Sequence, residues 1–165
     1  MNIVSCAQLT VLFIMGCWRS SPRETHSYQV AQPEHPTPVM KTQDQWRSEL
    51  TSEEFQVLRQ GGTERAFSSE LWDNHETGVY QCAGCGLELF SSESKFDSGT
   101  GWPSFSQPVH LDSVMTRSDT TAGMPRVEVL CNRCGGHLGH VFGDGPLPTG
   151  QRYCVNGDAL DFLSQ

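Results

Sequence analysis

Two C-x-x-C-G segments, Cys82-Ala-Gly-Cys85-Gly86 and Cys131-Asn-Arg-Cys134-Gly135, constrain this chain more than any other feature. A C-x-x-C turn aims two sulfurs at one point, and a glycine after the second cysteine admits the positive φ that completes the turn. Two such turns supply four thiolates, a closed tetrahedral shell for Zn²⁺ with no position left for water or substrate. The expected site is therefore structural. Since 45 residues separate Cys85 from Cys131, the metal clips together two distant parts of a domain. Two disulfides, or a redox-active dithiol, are the competing readings, but a redox dithiol needs no matched second knuckle. His137 is near enough in sequence to compete as a ligand, yet four sulfurs already fill the shell.

Seven cysteines is an odd number, and the two pairs leave Cys6, Cys17 and Cys154. A framework of paired disulfides explains that set poorly. Cys154 lies in Arg152-Tyr153-Cys154-Val155-Asn156, where apolar and polar residues alternate. As a strand, this segment places Arg152, Cys154 and Asn156 on one face and Tyr153 and Val155 on the other. A guanidinium beside the thiol favours the thiolate, the reactive form. A buried structural cysteine is the bland reading of Cys154. Two histidines, His137 and His140, leave the second knuckle directly, so the metal determines where they emerge, and histidine is the side chain best suited to give a proton near neutral pH. Asp144, in a Gly-Asp-Gly turn, is a candidate to orient one of them, although turn chemistry explains it equally well. Upstream, Trp102 sits between glycines and a proline, which suits the wall of a pocket better than a core position.

Elsewhere the pattern is that of a small, mainly β domain. Thr51 and Glu54 form a capping-box signature ahead of Phe55 and Leu58, and Gly61-Gly62 stops the predicted helix after about nine residues. Strand-like segments follow at 78–82, 87–90 and 126–131, the last with Val127, Val129 and Cys131 on one face. Closely spaced Gly and Pro favour antiparallel strands over βαβ units. The 165 residues suit one domain plus an extension, and the formal net charge of −8 argues against nucleic acid, which needs a clustered basic surface.

The first 17 residues hold an apolar run from Ala7 to Gly16, about half the ~20 residues that span a bilayer, and they match a signal peptide. The run ends Ile14-Met15-Gly16-Cys17, which resembles a bacterial lipoprotein signal cleaved before a lipid-bearing cysteine. Against that match stand Met15 and the lack of Lys or Arg in the first ten residues. Residues 18–41 hold four of the nine prolines and no apolar period, and they read as a disordered tether spanning roughly 25–30 Å as a flexible coil. The folded domain is then expected over 42–165. This reading places an exported bacterial protein in the periplasm, in contact with a membrane only through lipid on Cys17.

Four segments, CAGCGLELF, KFDSGTGWPSF, CNRCGGHLGHVFGDGPLPTG and RYCVN, occur in the same order in the methionine-R-sulfoxide reductases of the B type, and the resemblance runs from about Leu50 to Phe162. It implies two small antiparallel sheets with short N-terminal helices, stapled by zinc on Cys82, Cys85, Cys131 and Cys134. It further implies Cys154 as nucleophile, His137, His140 and Asn156 as polar groups of the active site, and Trp102 as the surface receiving the substrate methyl group, with Arg152 beside it. The implied substrates are oxidised proteins, and the implied chemistry passes through a sulfenic acid. Two departures stand out. Thr100 replaces a cysteine that resolves the sulfenic acid in many relatives, which points to an external, thioredoxin-like thiol. Gly157-Asp158 replaces the more usual Ser-Ala. The rival from another class is a zinc-ribbon protein-binding module without catalysis, and a second rival is a thiol oxidoreductase acting on disulfides.

Overall fold

The computed structural model describes residues 36–121 and 123–165. The signal segment, Cys17 and most of the tether lie outside them. Two short helices come first, α1 at Gln43–Glu49 and α2 at Ser52–Gln60, and each opens with a complete capping box, Thr42 with Gln45 and Thr51 with Glu54. Each box satisfies two of the amide groups that a helix start leaves unpaired. The second box and the stop at Gly61, which adopts φ 68°, are those expected from the sequence. Helix α1 is the other of the short N-terminal helices that the resemblance implied, although its residues lack an apolar period and its one buried side chain is Trp46. Contacts with the domain also begin before Thr42, since the Val39 amide donates to the Arg133 carbonyl at 2.9 Å inside the segment read as tether.

Eight strands follow: β1 (Gly78–Cys82), β2 (Glu88–Ser91), β3 (Ser104–Phe105), β4 (Val114–Asp119), β5 (Arg126–Cys131), β6 (His137–Phe142), β7 (Arg152–Val155) and β8 (Leu160–Ser164). They form two antiparallel sheets, ordered β2-β1-β8 and β3-β7-β6-β5-β4. The mainly β, two-sheet architecture is the one anticipated. Between the sheets, Phe90 stacks on Phe105 with centroids 4.4 Å apart, and Tyr80 meets Phe105 at 4.9 Å. All three rings are fully buried together with Leu89, Val129, Leu138 and Val155. Burying one such ring contributes about 2–3 kcal/mol, so this aromatic cluster is a main source of sheet-to-sheet cohesion.

In β5, Val127, Val129 and Cys131 share one face as the alternation implied. Val129 and Cys131 are buried, but Val127 is 42% exposed, while Glu128 is buried. Glu128, on the opposite face, can be buried because it has two partners, Arg117 on β4 and His137 on β6, which compensate its removal from water.

Helix α2 buries Phe55, Val57 and Leu58. Its Leu58 methyl groups lie so close to Gly84 and Gly136, one in each knuckle, that a Cβ on Gly136 would come within 2.9 Å of Leu58 Cδ2. Arg59 donates to the Cys134 carbonyl at 3.0 Å and its guanidinium covers the Trp46 ring. The helices thus brace the two cysteine turns as well as the sheet.

Candidate active site

The four knuckle cysteines converge as their spacing implied. Their Sγ atoms all lie within 4.8 Å of one another. Cys82 and Cys134 are 3.7 Å apart at sulfur, Cys85 and Cys131 3.5 Å. Sulfurs on a tetrahedral zinc with bonds of about 2.3 Å stand about 3.8 Å apart, whereas a disulfide needs about 2.05 Å. The donor set therefore fits zinc and excludes two disulfides. Cys82 ends β1 and Cys131 ends β5, so the metal joins the two sheets, and the filled shell leaves it a structural part.

The fifth cysteine of the described residues, Cys154, stands apart on β7. Strand register places Ser104, Cys154, His140, Glu128 and Arg117 directly opposite one another across β3, β7, β6, β5 and β4. This row crosses the outer face of the larger sheet. His137 joins that face although it is three residues from His140, a separation that would put the two on opposite faces of a regular strand. A register shift between β5 and β6 at Val129/Leu130 makes the difference: Gly139 faces Val129 while His137 faces Leu130, so Leu138 is an extra residue in β6. The bulge rotates His137 into line, and the two imidazoles sit 5.6 Å apart. Gly139 is required where it is, because a Cβ there would lie 2.0 Å from the Cys154 carbonyl oxygen.

Each histidine has a carboxylate partner, and neither partner is Asp144. His140 Nε2 lies 2.8 Å from Asp119 Oδ2 and His137 Nδ1 lies 2.7 Å from Glu128 Oε1. The carboxylates hold the protons of those nitrogens, leaving His140 Nδ1 and His137 Nε2 as the free ring atoms. Asp144 instead grips Arg152, Oδ1 accepting from Nε at 2.9 Å and Oδ2 from Nη2 at 3.0 Å, while the guanidinium covers the Phe142 ring. The tight Gly-Asp-Gly turn brings Asp144 back over β7, which sequence spacing did not show.

A cleft of about 160 Å³ opens beside this row, lined among others by Trp102, Phe142, His140, Cys154 and Arg126. It is smaller than the ~300–1,000 Å³ of sites for drug-sized ligands and suits a single side chain. Of the residues expected at the site, Trp102, His140, Cys154 and Asn156 line the cleft, whereas His137 and Arg152 do not. His137 lines a neighbouring polar depression that shares Thr63, Arg126 and His140 with the cleft. Asn156 is 3% exposed, and its amide is already used: Oδ1 accepts from the Glu64 amide at 3.0 Å and Nδ2 donates to the Leu138 carbonyl at 2.9 Å. These bonds fasten the end of β7 and leave one N–H of Nδ2 uncommitted.

The electrostatics also differ from expectation at Cys154. Burial pushes its thiol above the ordinary value, and this outweighs the opposing pull of the Arg152 charge and of hydrogen bonds from Thr100 and Arg152. In the unliganded protein the group is therefore a protonated thiol at neutral pH. Burial holds His137 below the ordinary histidine value despite Glu128. Glu128 is raised by its burial, but the His137 and Arg117 partners more than offset that and hold it low. The side chain and amide of Thr121, with His140 and Arg126, keep Asp119 well below the usual carboxylate range. Asp119, Glu128 and Arg126 were missed from sequence. The only signal for Arg126 and Glu128 was the charged alternation Arg126-Val127-Glu128, which reads equally as a solvated strand face, and Asp119 had none.

Two antiparallel sheets stapled by a cysteine-bound zinc, with one separate thiol facing histidines in a side-chain-sized cleft, define a zinc-stabilised thiol enzyme. The SelR domain family matches residues 50–164. Among curated relatives, the peptide methionine sulfoxide reductase MsrB of Thiobacillus denitrificans is 59% identical over 122 residues, covering 74% of this chain and 92% of that protein. The proteins of the same name from Methanosarcina barkeri and Methanosarcina mazei are 56% and 55% identical over 127 residues, covering 77% of this chain and 89% and 91% of theirs. The chain belongs to the MsrB family of peptide methionine sulfoxide reductases. Membership decides for an enzyme over a zinc-ribbon binding module.

Proposed function

We propose that the protein carries out its family's reaction, reduction of methionine-R-sulfoxide in oxidised proteins to methionine, with Cys154 as the nucleophile. The observation that carries this reading is the placement of Cys154 directly opposite His140 at the floor of a cleft walled by Trp102. The sulfoxide methyl group packs on the indole while its oxygen faces His140. The opposite epimer swaps the apolar and polar contacts and is rejected. Cys154 sulfur attacks the sulfoxide sulfur as His140 delivers a proton to the oxygen. The oxygen ends on Cys154 as a sulfenic acid and methionine leaves. Because burial keeps the free thiol protonated, its proton passes to the free Nδ1 of His140 once substrate fills the cleft, the Arg152 charge stabilises the thiolate, and the imidazolium so formed is the acid that protonates the sulfoxide oxygen.

Among the described residues, the other four cysteines all belong to the zinc cluster. Thr100 holds a hydroxyl, 2.8 Å from that of Ser98, and offers no thiol to resolve the sulfenic acid. An external dithiol protein of the thioredoxin kind therefore attacks Cys154 directly, releasing water and forming a mixed disulfide that its second thiol resolves. The segment 1–41 adds delivery: a signal peptide, lipid on Cys17 and a tether that keep the domain at a membrane surface outside the cytoplasm. Among the described residues no helix is long and apolar enough to cross a membrane.

The deciding experiment presents separated R and S sulfoxide epimers of one peptide to the purified protein with dithiothreitol, beside Cys154→Ser. Turnover of the R epimer alone, abolished by the substitution, is expected. Equal turnover of both epimers, or an active Cys154→Ser, refutes the assignment.

A further inference from the structure

Glu64 stands in the loop after α2, has no part in the chemistry above, and uses every one of its polar groups on the cleft residues Trp102 and Asn156 and on the two residues that follow Asn156. Its backbone amide donates to Asn156 Oδ1 at 3.0 Å and its carbonyl accepts from Trp102 Nε1 at 3.3 Å. Its carboxylate accepts from the amides of Gly157 and Asp158, both at 2.8 Å. These partners lie 38 and 92–94 residues away in sequence, in the glycine-rich loop and just past β7. We propose that Glu64 is a positioning residue of the reductase, locking the Trp102 indole to the strand that carries Cys154.

Three features make the link specific. The short 3₁₀ turn at Gly157–Ala159 has no side-chain cap of its own from Asn156, so the Glu64 carboxylate caps it from outside. Gly157 makes room for this: a Cβ there would fall 2.0 Å from Ser69 Oγ and 3.4 Å from Glu64 Oε1. Glu64 is itself 9% exposed, so a buried carboxylate is retained against its desolvation cost only because both amides answer it. The Gly157-Asp158 pair is thus matched to Ser69 and Glu64. With its amide held two residues from Cys154, at Asn156, and its carboxylate three and four residues from it, at Gly157 and Asp158, the Glu64 backbone cannot shift, and Trp102 stays at a set distance from the thiol.

The inference rests on the reductase reading of the cleft, and the test separates the two. Glu64→Gln preserves shape but points an amide NH₂ at one of the two N–H donors. In the full chain the variant is compared with wild type on an R-sulfoxide peptide, with zinc content and melting as controls. A wandering indole weakens ground-state and transition-state binding alike, so KM should rise about fivefold or more with kcat within about twofold. The Glu64→Gln effect on KM should fall below about twofold in a Trp102→Phe background, because the shared link is already cut. The Trp102 indole N–H resonance, read by ¹⁵N-edited NMR without substrate, should also move in Glu64→Gln and in Glu64→Asp. An unchanged KM, additive effects in the double variant, or an unmoved indole resonance overturns the proposal. Inactive wild type overturns the reductase reading instead, whatever the resonance does.

Discussion

His140 Nε2 and Asp119 Oδ2 lie 2.8 Å apart, joining β6 to the far end of the edge strand β4. Asp119 is in turn held by the Arg126 guanidinium at 2.7 Å and by the hydroxyl and amide of Thr121. An ionised carboxylate so held fixes both the tautomer and the plane of the imidazole facing Cys154. Asp119→Asn should therefore lower kcat on the order of tenfold, a part of the ~10²–10⁴ that a positioned acid supplies, with zinc content unchanged. Kinetics of the purified variant check this, and an unaltered kcat would remove Asp119 from the mechanism. Since its pKa is depressed, Asp119 contributes stability above its unfolded value near pH 4 and loses that contribution as pH falls further.

Alkylation of Cys154 should report the raised thiol. The rate with iodoacetamide, followed by mass spectrometry at the peptide carrying residue 154, should still climb above pH 9 where an ordinary thiol of pKa about 8.5 levels off. Arg152→Met should slow alkylation at every pH below that range, because the charge opposing the burial effect is gone.

Acid sensitivity between pH 7 and pH 5 should trace to His137. Burial holds it neutral in the folded protein, while the unfolded chain takes up the proton below about pH 6.5. Stability therefore falls as pH drops through that value. Glu128, whose folded pKa is depressed, begins to lose its contribution only near the unfolded glutamate value of about 4.3, below this window. The melting temperature should drop from pH 7 to pH 5, and His137→Gln should flatten the slope. A slope that is the same in the variant would assign the effect elsewhere.

Removing zinc should unfold the domain. Zinc binding in small cysteine sites contributes about 10–16 kcal/mol, comparable to or larger than the ~5–15 kcal/mol stability of a whole domain. Trp46 is 1% exposed and lies against the knuckle glycine Gly84, so its fluorescence should shift to the red on chelation. Retention of a native spectrum in metal-free protein would contradict a stapling role.

Lipidation of Cys17 predicts that the mature protein, expressed in a bacterium, fractionates with membranes and dissolves in detergent. Cys17→Ser should release it or block its processing. A mature protein that is recovered in the aqueous phase with an unmodified Cys17 would leave 18–41 as a leader without an anchor.

What the residue pattern alone determined is local or arithmetically forced. Thr51 with Glu54 specifies a helix start, Gly61 its end, and two C-x-x-C-G turns specify four convergent sulfurs, because each depends on a few neighbouring residues or on one coordination shell. Strands β1, β5 and β7 were legible from alternation, as was the isolation of Cys154. Tertiary structure decided the rest. A single bulged residue in β6 sets which way His137 points, and the sheet order brings Asp119 of β4 within side-chain reach of His140 across β5, while the nearby Asp144 turns to Arg152. Burial outweighs the Arg152 charge at Cys154, and Asn156 and Glu64 spend their polar groups on each other's segments. These outcomes depend on desolvation and on contacts between residues up to 94 positions apart, which only the closed fold brings within hydrogen-bonding distance.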